Sequence, residues 1–123
     1  EANAEGDIAE FTSVLSGLNK EWGAVTMELA MKASQNREEV GGASVDYLMY
    51  SGFITLAYFW ADMARESMEK LAAGTDDADF YKAKIATARF YFQRMLPRVA
   101  GHKAMMTNGV ESMMALDAEH FAF

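Results

Sequence analysis

The feature that most constrains this chain is a run of apolar residues spaced by threes and fours. Ile8, Phe11, Leu15, Leu18, Trp22, Val25 and Leu29 follow one another at steps of three and four throughout. Only a helix places such positions on one side, and the alternation describes a seam packed against neighbours at a shallow angle. The spacing predicts a first helix over about 7–36. Asp7 is a candidate N-cap, and Glu10 three residues on would complete a capping box. Gly17 and Gly23 weaken a helix interior by about 1 kcal/mol each relative to Ala, and their expected use is close approach of another backbone.

Gly41-Gly42 reads as the first break in the chain. A second helix is predicted over about 45–73, capped by Ser44 and ended by Gly74, with Thr75-Asp76-Asp77 as the turn. Its apolar residues cover more than one face: Tyr47, Leu48, Met49, Phe53, Ile54, Leu56, Tyr58, Phe59, Trp60 and Met63. A helix apolar nearly all round sits in the middle of a bundle or meets a surface outside its own chain. A third helix is predicted over about 79–107, with the seam Tyr81, Ile85, Ala88, Phe92, Met95, Val99, His102 and Met106. Pro97 falls inside it and should kink it near Arg94 to Leu96. Phe90 and Tyr91 lie off that seam. Asn108-Gly109 ends the helix, and a short fourth helix (about 110–116) precedes the tail 117–123. Two short turns between three long helices imply an all-α, antiparallel up-down bundle with a short C-terminal helix, one domain over 1–123.

Composition narrows the function. The 123-residue chain has no cysteine, which excludes disulfides, thiolate metal sites and thiol nucleophiles. Ten methionines and fifteen aromatics supply a core that a disordered chain would lack. A formal net charge of −7 argues against nucleic acid and against an anionic membrane surface as partners. The charge is unevenly placed. Lys82, Lys84, Arg89, Arg94, Arg98 and Lys103 stand in a stretch with no acid, whereas residues 1–81 hold fifteen acids and five bases. Internal complementarity within the bundle is the favoured reading; a docking surface for an acidic partner is the other. There is no span long enough for a membrane and no signal peptide, so the expected location is the cytoplasm. The chain opens Glu1-Ala2-Asn3-Ala4 without an initiator Met and reads as a fragment or a processed product.

Candidate chemistry is thin. Asp117-x-x-His120 is a single, short-armed version of a motif that di-iron bundles need twice, and His102 reads as a partly buried core histidine. Glu38-Glu39, Asp76-Asp77 and Glu66/Glu69 fall on solvated turns or faces, without the pocket that general acid–base work requires. Phosphate-cradling glycine loops and a Gly-x-Ser-x-Gly elbow are missing. Met105, Met106, Met113 and Met114 read first as core filler and second as a pliable binding surface. No catalytic, cofactor or metal residue is assigned.

Three strings carry a likeness. They are Phe80-Tyr81-Lys82-Ala83-Lys84-Ile85-Ala86-Thr87-Ala88-Arg89-Phe90-Tyr91-Phe92, its continuation Arg94-Met95-Leu96-Pro97, and Gly109-Val110-Glu111-Ser112-Met113-Met114-Ala115-Leu116-Asp117. With Tyr47-Leu48, Gly52 and Ala57-Tyr58 to Ala64 they resemble the extra C-terminal helical domain of large acyl-CoA dehydrogenases, in the 3-methylmercaptopropionyl-CoA dehydrogenase-like subgroup. The likeness covers about residues 43–121. It implies a parent oxidoreductase of fatty acid metabolism, an FAD flavoprotein in which a glutamate takes the alpha proton of an acyl-CoA and a hydride passes to the flavin. In that family the base and the FAD-binding segments lie upstream, so this chain holds neither, and Glu111 is not assigned as the base. The implied role is to pack on the parent's catalytic core and support a homo-oligomer. Trp60, Phe90, Tyr91 and Arg94 are the candidate interface. A free-standing helical interaction module, and a bundle enzyme with an unrecognised site, remain as competing readings.

Overall fold

A computed structural model describes residues 6–121; the opening Glu1-Ala2-Asn3-Ala4 and the last two residues of the tail lie outside the described residues. These residues form α1 (Ala9–Gln35), α2 (Glu38–Ala73), α3 (Ala78–Phe90), a π turn (Tyr91–Met95), α4 (Arg98–Thr107), α5 (Glu111–Met114) and a final 3₁₀ turn (Ala118–Phe121). The fold is all-helical, with no strand among the described residues.

The first seam is where its spacing places it. Phe11, Leu15 and Val25 are buried, and Ile8, Leu18, Trp22 and Leu29 pack against the core. Asp7 Oδ1 accepts a hydrogen bond from Ala9 N at 2.9 Å. Glu10 does not close a capping box; its carboxylate receives Arg89 from α3 at 2.7 Å instead. The expected role of Gly17 and Gly23 is overturned: a Cβ at either would meet nothing within 4 Å.

The largest correction concerns the start of α2. Gly41-Gly42 does not break the chain. The turn is at Asn36-Arg37, where Asn36 Oδ1 accepts from Glu38 N at 3.1 Å, and α2 then runs 36 residues through both glycines. Ser44 is interior, its hydroxyl donating back to Gly41 O at 2.8 Å. Gly42 has a packing reason: a Cβ there would collide with Cγ1 of Val110, the buried residue just ahead of α5. Gly74 ends α2 in the left-handed conformation, φ 83°, which glycine adopts without steric cost.

The third stretch is broken where the proline demands. Pro97 has no N–H to give, and its ring crowds the carbonyl four residues back. The chain answers with a wide turn, in which Leu96 N donates to Tyr91 O, five residues back, at 2.9 Å. Pro97 then opens α4. On either side of this turn the predicted seam holds, with Ile85, Ala88, Val99 and Met106 buried.

Pairings along the helices set their order. Glu10 meets Arg89 and Glu21 meets Lys103, while Lys32 Nζ donates to Thr107 O at 2.6 Å. Position along α1 thus rises together with position along α3 and α4. Between α1 and α2 it falls, from Trp22 with Tyr47 to Glu21 with Tyr50. α2 packs against α1, α3 and α4. It does so through small side chains: Ala43, Ala57, Ala61, Ala64 and Ser67 are all buried on it, beside Tyr50 and Ile54.

Candidate functional site

The interior holds polar groups that are tied to structural partners, the Ser51 hydroxyl excepted. Tyr50, fully buried, donates its hydroxyl to Glu21 Oε1 at 2.7 Å, and Lys103 Nζ donates to Glu21 Oε2 at 3.2 Å. The Tyr50 hydrogen bond, joined by Lys103, holds the Glu21 carboxyl below its ordinary value despite burial. Burial first, and the Glu21 carboxylate second, push the Tyr50 phenol up. His102 is half-buried as expected, stacked on Phe53 at 5.9 Å and donating from Nδ1 to the Asp46 carboxylate at 2.9 Å. These groups are tied to one another across helices rather than aimed into a cleft.

Two clefts flank α2. One, of about 640 Å³, lies between α1 and the first half of α2 and is lined by Leu29, Ala33, Val40, Ala43, Tyr47 and Ser51 among others. The Ser51 hydroxyl is buried there without a hydrogen-bond partner among the described residues. The other, of about 610 Å³, lies between Gly6-Asp7-Ile8 and the C-terminal end of α2. Its arginine, Arg65, is already held by Asp62 at 2.7 Å and Glu69 at 2.9 Å. A flavin pyrophosphate needs converging main-chain N–H groups or free arginines. The donors lining these clefts do not fit it, so no cofactor chemistry is assigned to this chain. Among the described residues, no three acids or histidines stand close enough to hold a metal ion.

The four candidate interface residues divide. Phe90, 57 % exposed, and Arg94, also exposed, are four residues apart in sequence; Trp60 is half-buried, its ring near that of Tyr91. Tyr91 is not at the surface. It is 3 % exposed, its ring stacks on Trp60 at 6.4 Å, and its hydroxyl donates to Phe53 O at 2.6 Å. Burial pushes its phenol up to about 12. Its place off the regular seam is explained by the π turn that starts at this residue. Arg89 and Lys103 serve the expected internal complementarity, whereas Lys82, Arg94 and Arg98 are exposed with no ion pair shown among the described residues.

The methionine reading is also corrected. Met106 alone of the four is core; Met105 lies on the exposed side of α4, and Met113 and Met114 are exposed on α5, a single turn that follows the buried Val110.

The most extensive exposed apolar surface is the side of α2 turned away from α1, α3 and α4. Val45 and Leu48 are 70 % and 71 % exposed, and Met49, Leu56, Phe59 and Met63 continue the stripe. From Val40 to Ala61 the only charged residue is Asp46, which is held by His102. No helix is long and apolar enough to cross a membrane among the described residues.

The described residues thus define an all-helical domain whose interior polar groups bind one another and whose α2 carries an exposed apolar side. More specifically, the family model described as "Acetyl-CoA dehydrogenase C-terminal like" matches residues 1–117, and the chain belongs to that family. No curated protein and no solved structure matches it.

Proposed function

We propose that the chain is the accessory C-terminal domain of an FAD-dependent acyl-CoA dehydrogenase, of the 3-methylmercaptopropionyl-CoA dehydrogenase-like subgroup. In this reading it is an up-down bundle that packs on the parent's catalytic core, supports the oligomer and carries out no catalysis itself. The parent enzyme works on acyl-CoA thioesters in the cytoplasm, with its base and flavin site on the core. The observation that carries the reading is the family match over nearly the whole chain. Phe90 and Arg94, with Trp60 linked to them through the buried Tyr91, make up the face assigned to the core. It offers an exposed aromatic and a cation with no ion pair among the described residues, the residue types that anchor interfaces. Tyr91 supports it from beneath.

The test is to mix the chain with the rest of its parent, cut just before Glu1, and follow mass by light scattering together with flavin retention and acyl-CoA oxidation. A stable complex that restores both is expected. Phe90→Ser with Arg94→Glu should weaken it by roughly 30-fold or more, the scale of losing one interface anchor. A truncated parent already assembled, flavin-loaded and active, with no affinity for the chain, would overturn the reading and favour a free-standing interaction module.

A further inference from the structure

We infer that the outer stripe of α2 is a self-complementary seam on which a second copy of this chain docks, helix against helix and antiparallel. The inference rests on the assembly part of the proposed function and says which face performs it.

The stripe has an order that mere apolarity would not require. Its members fall at Val45, Met49, Gly52, Leu56, Phe59 and Met63, steps of four, three, four, three and four. This is the two-position repeat of a helix that packs along another helix at a shallow angle. Among the described residues the repeat has no partner: Leu56 is 50 % and Phe59 53 % exposed, and a Cβ at Gly52 would meet nothing within 4 Å. A bundle helix ordinarily turns polar residues to the outside. Here large side chains are outside, and the core side carries four alanines and Ser67 beside Tyr50 and Ile54.

The sequence of the stripe is also balanced about one point. Counting outward from Ile54, Gly52 stands opposite Leu56, Met49 opposite Phe59, and Val45 opposite Met63. A two-fold axis at the level of Ile54 would bring those residues of one copy against their counterparts in the other. An isologous contact requires that the same patch complement itself. The volumes match in that pairing, because Leu56 of each copy faces the gap left by Gly52 of the other. The charges match too. Continuing outward by the same four-three steps, the stripe reaches Glu38 at one end and Lys70 at the other, equally far from Ile54. Both are exposed, Lys70 in a long, solvent-exposed contact with Glu66 at 3.7 Å, and both lie within about 20° of the stripe's midline at 3.6 residues per turn. The two-fold pairing sets Glu38 against Lys70 twice, once at each end. A parallel pairing would set Glu38 on Glu38 and Lys70 on Lys70, where like charges repel. Gly42 and Glu66, the remaining positions of the repeat, lie toward the edges, and Gly42 is already covered by Val110. The stripe positions from Val45 to Met63 carry no charge and span about 27 Å, with Asp46 and Asp62 on other sides of the helix. They let two chains of net charge −7 approach without bringing their acids together.

The experiment is sedimentation equilibrium on the 123-residue chain and its variants, with helicity checked by circular dichroism. The wild-type chain should dimerise. Leu56→Glu, at an exposed position, should leave helicity intact and weaken the dimer by roughly 100-fold or more, because each copy would bury an unpaired carboxylate. Glu38→Lys and Lys70→Glu should each weaken it by about 10-fold, and the double exchange should restore it. Orientation is read from disulfide trapping, which the cysteine-free sequence makes clean. Met49→Cys mixed with Phe59→Cys should give a covalent heterodimer, and Met49→Cys alone should not, since its two copies would be about 15 Å apart along the axis. A chain that stays monomeric at high concentration, or Met49→Cys trapping as readily alone as mixed, would overturn the inference. Binding of the monomeric Leu56→Glu variant to the rest of the parent separates the two readings. Retained binding leaves the accessory-domain reading standing whatever the fate of the dimer. A monomeric wild-type chain whose parent binding is lost in Leu56→Glu would assign the stripe to the catalytic core and overturn the self-pairing.

Discussion

The two sides of α2 invert the usual arrangement of a bundle helix. The side facing α1, α3 and α4 buries Ala43, Ala57, Ala61, Ala64 and Ser67 around Tyr50 and Ile54, while the side facing away carries Val45, Leu48, Leu56, Phe59 and Met63. Small residues inside let three neighbouring elements approach one axis closely. Large residues outside keep apolar area in water at roughly 25 cal/mol for each Å² left uncovered. The contrast teaches that the inner side specifies the fold of one chain, while the outer side, free of that task, is the one the self-pairing proposal assigns to a second copy. Each side should respond to substitution in its own way.

The largest separation is expected from neighbouring residues of like chemistry. Ile54→Ala removes a side chain only 1 % exposed and should destabilise the folded chain by about 2–5 kcal/mol, read from chemical denaturation. Leu56→Ala, two residues on, should stay within about 0.5 kcal/mol in the monomer, the usual range for surface positions. Equal costs at both positions would mean that the outer side is packed within the chain, and would end the comparison.

The glycines give a second separation, of opposite sign. Gly52→Ala should stabilise the monomer by about 1 kcal/mol, since it gains helix propensity in open space. Gly42→Ala gains the same propensity but pushes on Val110. An overpacking cost of about 1–3 kcal/mol cancels or exceeds that gain and loosens α5. Thermal melts of the two variants, with amide exchange over residues 110–114, check the pair. A third and smaller effect tests the inner polar group. Tyr50→Phe should cost about 1 kcal/mol, the net worth of one buried hydrogen bond. It should also shrink the stability lost in acid. Glu21 is held below its ordinary 4.5; its contribution is present above that value and is lost as pH falls through the lowered one.

Much of this fold was legible before the structure, and the misses share a cause. The seams of α1 and of α3 with α4 are set by residues that alternate with polar neighbours, so their spacing stands out. α2 has the same spacing on its outer side, but Phe53, Ile54, Tyr58 and Trp60 fill the intervening positions and hide it. Gly41-Gly42 looked like punctuation because local propensity weighs against glycine in a helix. Gly42 instead serves packing, because Val110, far along the chain, leaves no room there for a Cβ. Tyr91 was misplaced for a related reason. A regular repeat cannot foresee that Pro97 is accommodated by a π turn, which changes the phase of the helix at Tyr91. The Glu21–Tyr50–Lys103 group joins three helices, and nothing in the local pattern announces it.

The last separation concerns Tyr91, because it distinguishes a core tyrosine from the surface residue that its spacing suggested. Its phenol is pushed up to about 12 by burial, against an ordinary value of 10.0. A group whose folded value is raised favours the folded chain fully below its unfolded value, and that advantage declines for the folded state as pH rises through the upper one. The unfolded phenol loses its proton near pH 10, while Tyr91 in the fold keeps it. Each unit of pH in that window therefore draws the equilibrium toward the unfolded chain. Denaturation of wild type between pH 9 and about 12 should show stability falling across this range, and Tyr50, raised in the same direction, adds to the slope. Tyr91→Phe should lower stability at pH 8 by about 1 kcal/mol, through loss of the hydrogen bond to Phe53 O, and should flatten the alkaline slope. An unchanged slope in Tyr91→Phe would mean that this ring ionises as a surface phenol does. The inner side of α2 would then be more open at the π turn than its packing indicates.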